Sequence, residues 1–296
     1  MRIVSLVPSA TEMLFALGLG PELVGVTHEC DYPPEALELP RVTRNVLPDG
    51  LSSAEIDAAV KERTLAGESI YELDVEELHE LEPDLIVTQA LCSVCAVSVE
   101  DVRRVAETIE SSPQVISLDP RTLGEVLGDA RALAQATDRK DAAVELVREA
   151  SARIDRVRLA TRGARRPRVA ALEWLDPPFA AGHWTPQLIE YAGGEDVLGF
   201  AGEHSEERTW AQIRASAPDL VIVMPCGYDA ELAYREAEMH RDELLAVGAG
   251  EVVAVDAAAY FSRPGPRIVD GLELMAHILH PELVEQAPGQ ALTVEL

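Results

Sequence analysis

The chain has 296 residues, enough for one large or two ordinary domains, each able to bury its own core. Its formal charge is -27, and Lys61 and Lys140 are its only lysines, so its surface repels nucleic acid and anionic membrane. No apolar run approaches the ~18 residues of a membrane span, which argues against a spanning helix.

Met1-Arg2 leads straight into Ile3-Val4-Ser5-Leu6-Val7, a short strand, with no basic segment, apolar core and cleavage site. The expected compartment is therefore the cytoplasm. Pro8-Ser9-Ala10-Thr11-Glu12 then opens a helix carrying Met13, Leu14, Ala16 and Leu17. Ser9 or Thr11 there is either a helix cap or a polar contact for a ligand at the strand-to-helix turn. Val24-Gly25-Val26-Thr27 is a second strand, running out into His28-Glu29-Cys30-Asp31-Tyr32-Pro33-Pro34. Residues 41–72 are polar and poorly periodic apart from Ile56 to Val60, and are expected as a surface excursion. Asp74 to Leu81 is a short helix. It feeds the Pro83-Asp84-Leu85-Ile86-Val87 strand, which empties into Gln89-Ala90-Leu91-Cys92-Ser93-Val94-Cys95. Thr122-x-x-Glu125 is a capping-box signature before an apolar helix face.

The stretch from about Thr137 to Arg162 carries Ala143, Val147, Ala150, Ile154 and Val157 at alternating steps of four and three, one stripe on a helix. Gly163 ends it and Pro167 forbids continuation. What makes this helix a connector is an echo on either side. Pro83 to Val87 reappears as Pro218-Asp219-Leu220-Val221-Ile222, and Val115-Ile116-Ser117-Leu118-Asp119 as Val252-Val253-Ala254-Val255-Asp256. Ala16 to Gly20, with Val24-Gly25-Val26, parallels Tyr191 to Gly194, with Val197 to Phe200. Short β-branched runs alternating with amphipathic helices give βαβ units. The fold class is α/β: two Rossmann-like lobes, 1–121 and 167–280, joined by a helical connector over 122–166, with 281–296 a loose tail.

The chain resembles the class III, helical-backbone solute-binding proteins, and within them is most similar to the cobalamin-binding family. The resemblance rests on Ser5-Leu6-Val7-Pro8-Ser9-Ala10-Thr11-Glu12, Val24-Gly25-Val26 with Asp31-Tyr32-Pro33, and the Pro83 strand. In the second half it rests on Pro177-Pro178-Phe179, Gly193-Gly194, the Pro218 strand and Phe261-Ser262-Arg263-Pro264 with Pro266-Arg267. It implies a cleft walled by the loops after the strands, where open α/β sheets bind ligands. The expected contacts are Pro8, Ser9, His28, Asp31, Tyr32, Gln89, Phe179, His183, Trp184, Tyr228, Phe261 and Arg263. Aromatic, proline-rich walls suit a large, flat, partly apolar ligand such as cobalamin or a related corrinoid.

Three features depart from transport relatives. A leader is missing from the sequence as given. The two glutamates that the resemblance assigns to permease docking are matched by Glu76 but, in the second lobe, by Ala211. Aromatic ligand positions of the first lobe fall at Glu29 and Gln89. All four cysteines, Cys30, Cys92, Cys95 and Cys226, lie just past predicted strands. Such thiolates suit zinc, cobalt, a haem or an iron–sulfur cluster, with His28 or His183 as a further ligand. A Cys92–Cys95 redox pair and simple packing are the competing readings. Two functions stay open: a cytoplasmic carrier, store or sensor of a corrinoid, and a metal- or cluster-dependent enzyme on a chelatase-like fold. No Ser-His-Asp arrangement, Walker loop or His-Glu-x-x-His supplies another chemistry.

Overall fold

A computed structural model of the chain describes residues 1–48, 50–90, 97–285 and 288–296. The chain forms two compact units, one of Met1–Pro120 and Val126–Val147, the other of Arg121–Glu125 and Arg148–Leu296.

The first unit runs β1 (Ile3–Ser5), α1 (Pro8–Ala16), β2 (Leu23–Val26), β3 (Thr43–Asn45), α2 (Ser53–Leu65), β4 (Tyr71–Leu73), α3 (Val75–Leu81), β5 (Leu85–Thr88), α4 (Val99–Ala106) and β6 (Gln114–Ser117). Strands β2, β1, β5 and β6 pair in that order, all parallel. Every residue of β1 and β5 is buried, as continuous apolar runs covered on both faces must be. Val4, Leu6 and Ile86 pack with Leu78, Val102 and Ala106. Within the excursion expected over 41–72, the described residues form regular elements. Strands β3 and β4 form an antiparallel pair, and Ser52 with Glu55 makes a capping box for α2. Polar residues on short strands hide the alternation, and an Arg44–Glu72 ion pair takes the place of apolar cross-strand contact.

Next come α5 (Leu123–Thr137) and α6 (Lys140–Ala160). The capping box at Thr122 is present: the Glu125 amide donates to Thr122 Oγ1 at 3.3 Å, and the Thr122 amide to Glu125 Oε2 at 3.0 Å. On α6 the striped residues Ala143, Val147, Ala150, Ile154 and Val157 are all buried, while Val144 and Leu159 are exposed. The stretch expected as a separate connector is divided between the units, with the boundary inside α6 after Val147.

The second unit continues with β7 (Arg168–Leu175), β8 (Pro178–Ala180), α7 (Thr185–Tyr191), β9 (Glu195–Asp196), β10 (Glu206–Glu207), α8 (Trp210–Ala215), β11 (Leu220–Val223), α9 (Ala230–Met239), α10 (Arg241–Val247), β12 (Glu251–Val255), α11 (Ala257–Tyr260), α12 (Ile268–Leu279) and β13 (Ala291–Thr293). The sheet order is β10-β8-β7-β11-β12-β13, with β9 beside β7. Strands β7, β11, β12 and β9 pair in parallel; β8 and β13 run against them, and β10, antiparallel to β8, runs in the direction of β7. The segment expected as a loose tail thus ends in a strand that covers the edge of β12, and Val294 behind it is buried. The physical reason is the apolar β12, whose unpaired edge would otherwise invite foreign strands.

The echoed motif has the same structural job in both units. Asp84 Oδ2 accepts from the Arg2 amide at 2.7 Å, and the Asp84 amide donates to Arg2 O at 2.8 Å. Asp219 repeats this with Arg168, at 2.9 and 2.8 Å. Each Pro-Asp-Leu therefore aligns the starts of two neighbouring parallel strands. In the second unit Arg153 of α6 also grips Asp270 and Glu273 of α12, the latter at 2.6 Å.

Candidate functional site

In each sheet the loops that follow the parallel strands gather at one edge. In the first unit β1 leads into Pro8 and the buried Ser9, both inside α1, whose N-cap is Val7 without a side-chain bond. Neither Ser9 nor Thr11 is the cap. Thr11 Oγ1 donates to Ser5 Oγ at 2.8 Å and lies 3.0 Å from Cys30 Sγ, so the buried Cys30 thiol belongs to a hydroxyl network under the strand ends.

Past β2 the loop is polar. Thr43 Oγ1 donates to Thr27 Oγ1 at 2.8 Å and lies 2.7 Å from His28 Nδ1. Tyr71 Oη donates to Glu29 Oε1 at 2.7 Å, and the Tyr71 ring meets the His28 ring at 5.0 Å between centroids. His28 is half-buried, and that burial lowers its pKa against the opposing pull of Glu29, with Arg41 lowering it further. Asp31 and Tyr32 are exposed; Gln89 is buried beyond β5, where the Ala90 amide donates to Asp119.

The second unit presents aromatic surface instead. Between Leu172 and Trp174 the β7–β8 register shifts: Leu172 pairs with Ala180, but Trp174 pairs with Phe179. This is a β-bulge at Glu173, and it turns the following residues over. Leu172 and Leu175 both enter one core cluster, three residues apart, so the intervening Trp174 goes to the other face with its cross-strand partner Phe179. Both rings are partly exposed. Tyr228, in the loop after β11, meets Trp174 edge-on at 5.8 Å between centroids. Trp174, Phe179 and Tyr228 thus lie where β7 and β11 end and β8 begins.

Other expected contacts are placed differently. Trp184 and Phe261 are brought together but buried, the indole Nε1–H donating to Phe261 O at 2.7 Å, so both rings close the core. His183 is partly exposed at a φ of 53°, with Nε2 at 3.2 Å from His204 Nδ1. Burial first, then His204 and Arg121, lower its pKa to about 4. Arg263 is partly buried and its charge acts on Asp256, the N-cap of α11. Among the cysteines, Cys226 is exposed past β11, while Cys92 and Cys95 lie outside the described residues. Among the described residues no three His, Cys, Asp or Glu side chains are grouped to hold a metal ion. Glu76 and Ala211 are both exposed, in the first turns of α3 and α8.

The chain belongs to the periplasmic binding protein family, whose profile matches residues 3–259. It is thus a ligand-binding protein of the solute-binding type with the α/β fold of class III. The vitamin B12-binding protein of Vibrio cholerae is 24% identical over 278 residues, spanning 92% of this chain and 86% of its own. That of Pectobacterium carotovorum is 24% identical over 98% of this chain and 91% of its own. Among solved structures, the periplasmic vitamin B12 binding protein of Vibrio cholerae superimposes with a TM-score of 0.68 at 23% identity, covering 95% and 96% of the two chains. A periplasmic haem binding protein of Pseudomonas aeruginosa gives 0.73 at 17% identity, covering 100% and 98%. No helix among the described residues is long and apolar enough to cross a membrane.

Tyr71, Thr43 and His204 are not among the contacts expected from the sequence. The first two sit in the segment taken as a surface excursion; the Ser52-x-x-Glu55 capping box was the signal that this segment folds.

Proposed function

We propose that the protein binds cobalamin or a related corrinoid at the loops following its parallel strands. The observation that carries this reading is the placement of Trp174, its ring neighbour Tyr228 and its cross-strand partner Phe179 at one sheet edge, a partly exposed aromatic surface suited to a flat ring system. The curated relatives named as vitamin B12-binding proteins support the same ligand class. Haem is the competing ligand, since solved structures of the same fold bind it.

The proposed role is that of a carrier, store or sensor in the cytoplasm. Cell fractionation that finds the protein elsewhere overturns the compartment and leaves the ligand reading intact. Exposed Glu76 keeps one of the two docking acids that the resemblance assigns, and Ala211 lacks the other, so stable docking on a permease is not part of the proposal.

Titration of the purified protein with cyanocobalamin and with cobinamide, followed by tryptophan quenching and calorimetry, tests the ligand. Saturable binding is expected, and Trp174→Ala should weaken it by about 2 kcal/mol, as loss of an aromatic anchor does. Folded, ligand-free protein that gives neither heat nor quenching with either compound overturns the function.

A further inference from the structure

Past β8 and before β10 the chain leaves the second sheet, yet the two segments stay fastened together. Strand β10 pairs with β8 antiparallel, Glu206 opposite Ala180. Beyond that pair the Gly182 amide donates to Ser205 Oγ at 3.1 Å, the His183 amide to Glu203 O, and the Gly202 amide to His183 O. Only glycine fits at 182, since a Cβ there would stand 2.6 Å from the His204 carbonyl carbon. This fastening sets two imidazoles from distant sequence against each other. Their rings meet edge-on, centroids 5.1 Å apart, with His183 Nε2 3.2 Å from His204 Nδ1. His183 is partly exposed and His204 exposed, so the pair opens to water.

The geometry points to a binding site for one late first-row divalent metal ion, zinc, nickel or copper, held by His183 Nε2 and His204 Nδ1. Imidazole nitrogen suits these ions, whereas magnesium and calcium take oxygen. At the zinc–imidazole bond length of about 2.0–2.1 Å, nitrogens 3.2 Å apart subtend roughly 100° at the ion, close to tetrahedral. The spacing of a hydrogen-bonded pair is here also the spacing of two ligands on one ion, and the backbone fastening fixes it beforehand. Two neutral rings share one hydrogen between these nitrogens. The ion replaces it, and the ring that held it carries its proton on the other nitrogen, so no proton is released. No third side chain of ligand type is grouped with them among the described residues, so water fills the remaining positions. The net charge of -27 draws cations to the surface, while Arg121, whose charge reaches His183, opposes the ion. All these residues belong to the second unit, and corrinoid binding is neither required nor excluded.

Calorimetry titrates the wild-type chain, His183→Gln, His204→Gln and Arg121→Gln with zinc chloride and with nickel chloride. Magnesium chloride is the control for general attraction to an acidic surface. Wild type should bind zinc and nickel saturably and magnesium far more weakly. Each histidine variant should weaken zinc and nickel by at least about tenfold, the scale on which losing even an outer partner of a metal ligand is felt. Arg121→Gln should tighten both about threefold, because a like charge leaves the ion's surroundings. Any site built by the cysteines is common to all four proteins and drops out of the comparison. In two-dimensional NMR, zinc should shift the imidazole signals of His183 and His204 together. His204 is exposed, so His204→Gln carries the test alone if His183→Gln melts early. Zinc and nickel affinities unchanged in His204→Gln overturn the site, as does weaker binding in Arg121→Gln. Magnesium that binds as tightly as zinc overturns it too, since the acidic surface is then the ligand. Wild type that gives no saturable heat with either transition metal leaves the pair a plain hydrogen bond and ends the proposal.

Discussion

His183 shows how one side chain can be set by its surroundings. Its backbone lies in the left-handed region at a φ of 53°, a conformation uncommon outside glycine, and two main-chain bonds hold it there. The His183 amide donates to Glu203 O at 2.6 Å, and the Gly202 amide donates to His183 O at 2.9 Å. Gly182 is needed beside it, because a Cβ there would stand 2.5 Å from the Ser205 nitrogen. Within this loop pair the imidazole loses water and faces His204 and Arg121, so its pKa falls to about 4 from 6.5. A histidine depressed in the folded state stabilises above its unfolded pKa and loses that contribution as pH falls toward the folded one. Imidazole resonances of His183 should therefore titrate near pH 4. Stability should decline between pH 6.5 and 4, less steeply in His183→Gln. A His183 that titrates near 6.5 contradicts the burial described here. Trp184, its neighbour, gives a second residue-level expectation. Trp184→Phe removes the indole bond to Phe261 O and should cost about 1–2 kcal/mol of stability, measured by denaturant unfolding, with corrinoid affinity unchanged.

At the scale of elements, the sequence exposes what apolar periodicity encodes and conceals what polar contacts encode. The α6 stripe from Ala143 to Val157 was legible because burial at steps of three and four has only one helical solution, and all five residues are buried. The paired Pro-Asp-Leu segments were legible as strands, but their purpose was not: a carboxylate reaching an amide 82 residues earlier leaves no local pattern. That staple is testable in parallel, since Asp84→Ala and Asp219→Ala should each lower the melting temperature of the chain by similar amounts. Asp219, whose pKa is held below the usual range chiefly by the Arg168 amide, contributes stability above pH 3.8 that is lost on further acidification. The candidate site was legible as a set of loops, because ligands meet α/β sheets at strand ends, but not as a set of side chains. Trp184 and Phe261 read as ligand contacts from their position beside glycine and proline, yet their mutual bond takes them into the core. Trp174 faces outward only because the bulge at Glu173 breaks the two-residue alternation, and a bulge with no glycine or proline carries no sequence mark.

Over the whole molecule, the dominant physical quantity is a net charge of -27, and it acts against compactness. Local pairs relieve part of it. Arg153 lies between Asp270 and Glu273 in a partly buried clamp, where the hydrogen bonds it donates to Glu273 outweigh desolvation and hold the guanidinium charged. Other ion pairs, such as Arg44–Glu72, are well exposed and worth less than ~1 kcal/mol. The excess of acidic over basic side chains repels through solvent, where a Debye length of about 10 Å at 0.1 M salt already weakens repulsion. Adding sodium chloride from roughly 0.01 M, where that length is about 30 Å, should raise the melting temperature, because screening removes more repulsion than attraction in so unbalanced a chain. The competing term is the Arg153 clamp, which salt weakens less because it is partly buried. Arg153→Met tests the balance: the variant should melt lower than wild type at every salt concentration, while its rise with salt remains. It leaves Asp270 and Glu273 facing each other uncompensated, so its rise should even be steeper. A melting temperature that falls with added salt in the wild type would mean that attractive pairs outweigh the net charge, and the clamp would then be the first place to look for them.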